Sequence, residues 1–531
     1  MKYTITEYDK SLLLQKNLQY REKIVITDGK RNIVDTLTGI SEIGSSNIDP
    51  ASNIRRTFNF TLKLDDFIEN IENKIASWIG YYYEVSVGLV DDRTDELIFY
   101  PYGRFVITET STTYDRANNS LTFNLSDRMC ELDGTRNGQD GGAPIIEIPK
   151  EKDGIKQTIR GTVVNILTSS TKVDKFIVDD IGEFNGMAFN EGYLEYREKN
   201  KEWNILPYDL SYSSGAVISD MLFEIRDLYP NCQMYFDVYD NFCFNMIPSL
   251  DSDFPDLDYD YIEKILLADN SESTTYDITA IKNVTEIFGK TYDIDRFCEK
   301  SSYGENTYTL QLEQYDKYSS YEMIAFKPTE NNAQNCLFKI NSLEALPIYY
   351  EYTETPISSS TIIKDDMCVI RLVRQGQKFV AYYLGQYQPH ALCVLTNDVN
   401  DKYYTKSYFS KKYNVKEKSI VFREEPFSRF SVQMLGEILD SKSGDEFDNI
   451  LSDSNAMENA KYYNRMSSTM FDTVTITTLL IPWLDVNVKI NYKKLQENVI
   501  YSYIVKSKSD DFSSGTSTIT MYRFMQLYEQ R

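Results

Sequence analysis

The chain has 531 residues, with 56 Lys and Arg against 80 Asp and Glu, a net charge of −24 and a single histidine. The length predicts roughly three or four domains, and the acidic balance excludes a general nucleic-acid-binding surface, which needs positive charge to displace counterions. No apolar run approaches the length of a membrane span, the opening MKYTITEYDK lacks a signal-peptide core, and the seven cysteines are scattered without CxxC spacing, so a soluble, cytoplasmically made protein with reduced thiols is expected.

Taken in order, the lead SLLLQKNLQY forms a helix or an arm, and strands begin at KIVITD and NIVDTLTGISEI. Phe58, Phe60, Leu62 and Leu64 alternate with polar residues, which predicts a half-buried strand with Arg55 and Arg56 at its start. Those two arginines anchor either a neighbouring subunit or a carboxylate of the same domain. Ile71 to Gly80 reads as a short helix ended by its glycine. Val85 to Leu132 reads as strands around a polar turn, and Asp133 to Gly142 (DGTRNGQDGG) as a flexible boundary.

Composition then changes. Ile159, Val163, Ile166 and Leu167 share a helical face, and so do Val217, Met221, Leu222, Ile225 and Leu228, with Ser213 or Ser214 as the expected cap. QMYFDVYDNFCFNMIP reads as a hairpin turning at Asp240-Asn241. The acidic run from Asp251 to Lys264 lacks the glycine of a calcium-binding loop and is expected to be a solvated linker. Strands resume at Tyr276. MCVIRLVRQ and GQKFVAYYLGQY pair across Gly376, NAMENAKYYNRMSS (Asn455 to Ser468) is helix-like, and TVTITTLLIPWLDVNVKINY leads into the closing strands.

Those closing strands repeat the first hairpin. Val85, Val87 and Leu89 correspond to Val486, Val488 and Ile490. Ile107 and Leu121 stand as far apart as Val505 and Ile519, with Tyr114 matched to Phe512, Ser120 to Thr518 and Thr122 to Thr520. A hairpin repeated at long separation predicts duplicated β-domains at the two ends of the chain. The fold class expected is mainly β with an α/β insertion. The abundance of tyrosine, 42 residues, fits both strands and partner contacts.

Catalytic chemistry finds no foothold. His390 is the one histidine, which excludes HExxH zinc sites, and GxSxG, GxxxxGK[ST] and GxGxxG are all missing. No catalytic, metal-binding or cofactor-binding residues are expected, and no enzyme.

The runs NIRRTFNFTLKLDD and WIGYYYEVSVGLV through LSDRMCELDG, the stretch ILPYDLSYSSGAVISDMLFEIRDLYPNCQMYFDVYDNFCF, and LIPWLDVNVKINY through MYRFMQLYEQR resemble tail-tip hub proteins of long-tailed bacteriophages and prophages of Gram-positive bacteria. The likeness spans most of 20–345 and 455–531. It implies a homotrimer in which two tube-like β-barrel domains per subunit make a pseudo-sixfold ring continuing a sixfold tail tube. It also implies a distal tail protein above the ring, the carboxyl end of the tape-measure protein in its lumen, receptor-binding or fibre proteins attached, and phage DNA passing without specific binding. The domains expected are 1–142 and the discontinuous 271–346 with 455–531 as the two tube-like units. Residues 143–270 form the α/β insertion, and 347–454 an inserted β-rich block with a helical return. That block serves as a docking platform or, alternatively, a carbohydrate-binding module, with Tyr382, Tyr383 and Tyr387 as contact candidates. The hub of a contractile tail or tail-like bacteriocin is a close variant.

Overall fold

A computed structural model describes residues 4–523 except 64–74, 180–205, 248–255, 406–419, 448–458 and shorter stretches of up to five residues. The lead is helical slightly earlier than expected. Helix α1 (Glu7–Leu12) is closed by a capping box between Thr6 and Asp9. Seven strands follow: β1 (Tyr20–Thr27), β2 (Ile33–Thr36), β3 (Ile40–Ile48), β4 (Arg56–Lys63), β5 (Tyr82–Val90), β6 (Leu97–Tyr114) and β7 (Asn119–Asp127). They lie in the order β3-β4-β7-β6-β5-β1-β2. The alternation in β4 does what its period dictates: Phe58, Phe60 and Leu62 are buried while Thr57 and Lys63 face out. Leu64 lies outside the described residues, as do Ile71–Lys74 and Ser77 of the expected helix. Ile75, Ala76 and Trp78 are helical, with a turn at Ile79 and Gly80.

The segment 133–141 is not a free linker. Gly138 takes φ +106, where a Cβ would lie 2.3 Å from the Leu132 carbonyl carbon. Its carbonyl accepts the Ile218 N–H, and the Leu132 carbonyl accepts the Ser219 N–H. These two amides open helix α3 (Ile218–Arg226), whose N-cap is Val217 with no capping side chain. The serine cap expected at 213 or 214 is therefore replaced by carbonyls from a distant loop, because Leu210–Ser213 continues as a strand. Helix α2 (Ile159–Ser170) is capped by Thr158 and buries the four residues its periodicity named. Both helices pack on a three-stranded sheet of Phe176–Val178, Phe242–Met246 and Cys232–Phe236, the last two joined by the hairpin at Asp240-Asn241. Of the acidic run, residues 251–255 lie outside the described residues. After residues 256–258 the run enters helix α4 (Tyr259–Ile265), which buries Tyr261, Ile262 and Ile265 in the main core. The expectation of a solvated linker fails there because Tyr and Ile at helical spacing form an apolar face.

The middle of the chain supplies β8 (Glu272–Tyr276), and its far end β9 (Asp472–Leu479), β10 (Lys489–Lys493), β11 (Ile500–Asp511) and β12 (Thr516–Tyr522). These join the first seven in one twelve-stranded sheet. Its path is β8-β9-β12-β11-β3-β4-β7-β6-β5-β1-β2, with β10 beside the first half of β11.

The two halves repeat each other in register. Phe58 and Phe60 pair with Leu125 and Phe123, and Val474 and Ile476 pair with Met521 and Ile519. A one-residue bulge interrupts β6·β7 directly after the Ile107–Leu125 pair. Another interrupts β11·β12 directly after Val505–Met521. Bulges bend and re-aim a strand, so a shared bulge at one ladder position is a strong mark of duplication.

The register also corrects the sequence alignment. Ile519 corresponds to Phe123 rather than Leu121, since the second hairpin is one pair shorter. Tyr83, opposite Phe105, corresponds to Ile490, opposite Tyr503, so the match of Val85 with Val486 is displaced. Tyr114 and Phe512 do stand equally far beyond their bulges.

The expected domain boundary at 346/347 is no break in the structure. An eight-stranded sheet runs Arg296–Cys298, Met323–Phe326, Cys368–Gln375, Lys378–Gln386, Leu346–Tyr350, Leu337–Ile340, Thr307–Leu310 and Ser301–Gly304. The strand Leu346–Tyr350 straddles that boundary, with Ile348 buried in a core that reaches from Cys298 to Ala381. A second sheet pairs Val284–Thr291 with His390–Thr396 and Leu439–Lys442. Of 271–346, only β8 belongs to the sheet of the second repeat. Tandem alternating strands look alike whichever sheet they enter, which is why the boundary was misplaced. Of the helical return, Asn459, Ala460, Tyr463, Asn464 and Ser467 are helical and the rest lies outside the described residues.

Candidate functional site

The seam between the two repeats is built from β3 and β11. Ser45, Ser46, Asn47 and Ile48 pair with Asp511, Asp510, Ser509 and Lys508. Just beyond, the Phe512 N–H donates to the Gly44 carbonyl at 3.3 Å. The Phe512 ring stands edge-on to Phe58 at 5.5 Å and to Tyr102 at 5.7 Å, locking the second hairpin onto the first core. Beneath it the Asp510 carboxylate accepts the Tyr102 hydroxyl at 2.5 Å, the Ser517 hydroxyl at 2.5 Å and the Lys508 ammonium at 2.7 Å. Lys508 donates also to the Ile481 carbonyl. Burial lowers the Lys508 pKa, Asp510 opposing, and raises that of Tyr102.

A second fastening lies at Asp485, where the chain approaches β10. Arg56 and Arg55 both donate to its carboxylate, Arg55 at 3.4 Å. Arg55 also donates to the Gln233 side-chain oxygen at 2.9 Å and lies over the Tyr235 ring at 3.8 Å. Burial alone would raise the Asp485 pKa, but Arg56 and Arg55 hold it down to about 2. The backbone N–H of Arg56 donates to Asp127, whose carboxyl burial pushes up to about 6 against its backbone hydrogen bonds from Met129 and Arg56. At the same ladder position of the second repeat the charges are exchanged: Asp472 opens β9 and accepts from Arg523 at 2.7 Å.

The third fastening joins the α/β insertion to the first repeat. Asp240, at φ +66 in its hairpin turn, accepts from Arg31 and Arg104 at 2.7 Å and from Arg128 at 3.2 Å.

Of the residues expected to touch partners, Arg55 and Arg56 are buried within this chain. Of the two readings, the structure realises the carboxylate anchor, although Asp485 belongs to the other repeat. Tyr382 is fully buried and its hydroxyl accepts from the Gln375 side chain at 2.8 Å. Tyr383 donates to the Thr361 carbonyl at 3.3 Å. Tyr383, like Tyr387, is half-buried, and Tyr387 stands edge-on to Phe297 at 5.5 Å, Phe297 being 53% exposed. Asp240, Asp485 and Asp510 were missed. Asp510 and Lys508 carried a usable signal, charges at alternate positions of an otherwise apolar-facing strand, but the bulge after Val505 obscures the phase.

Chemically, the arrangement holds elements together. Among the described residues no group of three or more His, Cys, Asp or Glu is placed to hold a metal ion, and no helix is long and apolar enough to cross a membrane. The six described cysteines are buried free thiols. An open cleft of about 440 Å³ beside α1 and α4 is lined by Glu7, Lys10, Asp258, Asp260 and Lys264, a mixed-charge surface.

Besides the outer edges of β2 and β10, two further edges of the twelve-stranded sheet carry unpaired backbone among the described residues. Beyond its bulge, β6 pairs with β7 on one side, and among the described residues nothing pairs on the other. β8 pairs with β9 and likewise has a free edge.

Comparison with known proteins returns one sequence profile. Residues 427–528 match a domain of unknown function (DUF5048). No curated protein matches the chain. Among solved structures the chain is similar to a tail protein of prophage MuSo2 from Shewanella oneidensis, at 8% identity over 94% of this chain and 98% of that one, with a TM-score of 0.44. It is similar also to a tail protein from Neisseria meningitidis, at 6% identity over 94% and 96% with a TM-score of 0.43. A prophage tail protein from Listeria monocytogenes shows 9% identity over 94% of each chain and a TM-score of 0.40.

Proposed function

We propose that this chain is a structural component of a phage tail tip, the hub that forms a trimeric ring joining a sixfold tail tube to the host-recognition and wall-penetrating apparatus. The observation that supports it is the duplicated unit, two copies in one register with one bulge position, laid side by side in a single sheet. Three such chains supply six equivalent units, the number a sixfold tube presents. The distal tail protein binds one end of the ring, the tape-measure carboxyl terminus enters the lumen, and receptor-binding or fibre proteins attach outside. Phage DNA leaves through the channel, and the net charge of −24 disfavours its adhesion. The large block around 296–386 serves as a docking platform rather than a sugar site, because Tyr382 is core and Tyr383 is half-buried with its hydroxyl engaged.

The role is structural, without catalysis. Gold-labelled antibody against the chain, applied to intact virions or induced prophage particles, is expected to decorate the distal end of the tail. Label along the tail shaft or on the head, or a chain missing from purified particles, would overturn the reading.

A further inference from the structure

We infer that two of the sheet's unpaired edges, those at equivalent places in the two repeats, are made for each other, and that β8 of one copy pairs with the far half of β6 of the next in a register the molecule already contains. This rests on the ring reading above and specifies its interface. The template is the internal seam. β3 is to β4 what β8 is to β9: Ser46 lies opposite Phe58, and Thr274 lies opposite Val474, at equivalent ladder positions. In the same way, β11 beyond its bulge is to β12 what β6 beyond its bulge is to β7. Within the chain, the first repeat's β3 sits on the second repeat's β11. Among the described residues, the second repeat's β8 and the far half of the first repeat's β6 are left unpaired at the same places. An edge of unpaired N–H and C=O groups is a template for another strand, and a head-to-tail contact of this kind closes into a ring when its rotation allows.

Transferring the seam gives the register. Ser45–Asp511, Ser46–Asp510, Asn47–Ser509 and Ile48–Lys508 become Ser273–Thr113, Thr274–Thr112, Thr275–Ser111 and Tyr276–Thr110 between copies. The bond from Phe512 N–H to Gly44 fixes which amides face the seam. By equivalence the N–H groups of Thr110, Thr112, Thr274 and Tyr276 face the new partner. The pairs Ser111–Thr275 and Thr113–Ser273 are then of the non-hydrogen-bonded type, with Cα atoms about 4.5 Å apart. Thr274 adds an observation of its own, since its hydroxyl is buried at this edge without a hydrogen-bond partner.

The test uses the full chain carrying Ser111→Cys with Thr275→Cys, oxidised mildly and run on non-reducing gels beside the single variants and light scattering. Covalent dimers and trimers are expected, because the pair meets disulfide geometry. Ser111→Cys with Ser273→Cys, about 8 Å apart on the diagonal, is expected to stay unlinked. Thr112→Pro, which removes an outward N–H and leaves the β6·β7 ladder intact, is expected to shift the assembly to monomers. Linking by the second pair instead of the first, or a trimer with no linking, would overturn the register while leaving the ring. A chain that remains monomeric and unlinked would overturn the ring and the interface with it. A ladder of linked species far beyond trimers would keep the edge pairing and overturn closure.

Discussion

Asp240 receives three arginines from three places in the first repeat: the β1–β2 turn, β6 and the segment after β7. Removing a carboxylate from such a cluster leaves buried guanidinium groups uncompensated, which costs about 3–5 kcal/mol. Asp240→Asn keeps the side-chain shape and tolerates the positive φ, so its expected effect is this electrostatic loss. It should appear as a lowered denaturant midpoint, whereas Asp174→Asn, which touches only the exposed end of Arg31, should change stability by less than about 0.5 kcal/mol.

Asp485 makes a pH prediction. Its folded pKa of about 2 lies below the usual 3.8, so the stabilisation from Arg56 and Arg55 is complete above pH 4 and is lost as pH falls toward 2. The amount is about 2 kcal/mol, and Asp485→Asn should abolish that part of the acid slope in denaturant titrations. Asp127 runs the other way. Its carboxyl, raised to about 6, adds stability below pH 4 that disappears as pH rises to 6, and Asp127→Asn should flatten that interval.

At the scale of elements, Gly138 is the hinge on which the first repeat meets α3. Any side chain there must displace Leu132 backbone and hold φ +106. Gly138→Ala is expected to cost about 1–3 kcal/mol and to raise amide exchange at Ile218 and Ser219, whose acceptors lie on that loop. None of this was visible in DGTRNGQDGG, which reads as a linker because the carbonyls that cap α3 leave no residue signature.

By contrast, β4, α2 and the Asp240-Asn241 hairpin were legible, since period 2, period 3.6 and turn chemistry each act over a few neighbouring residues. The existence of the duplicated hairpin was legible too, but its register was not. The bulges after Ile107 and Val505 flip the phase of the alternation within each strand, and one shorter hairpin pair shifts the count between the two copies. The same locality explains Arg55 and Arg56. Their residue type announces an ion pair, yet its partner, Asp485, lies more than 400 positions away.

For the whole molecule, one sheet made of two copies of one unit has a simple consequence. By the inference above, the contact that joins the copies inside a chain recurs between chains, at the edges of β8 and β6 that pair with nothing among the described residues. The α/β insertion is bolted to the first repeat through Asp240, and α4 packs beneath the second repeat's strands. The structural load thus falls on backbone pairing, which mild salt changes do not weaken. The most direct measurement is the solution mass of the purified full-length chain by light scattering across a wide concentration range. The account predicts three chain masses, or a monomer moving to three with concentration and with little response to moderate salt. A strict monomer at high concentration, or an even-numbered closed assembly, would contradict it.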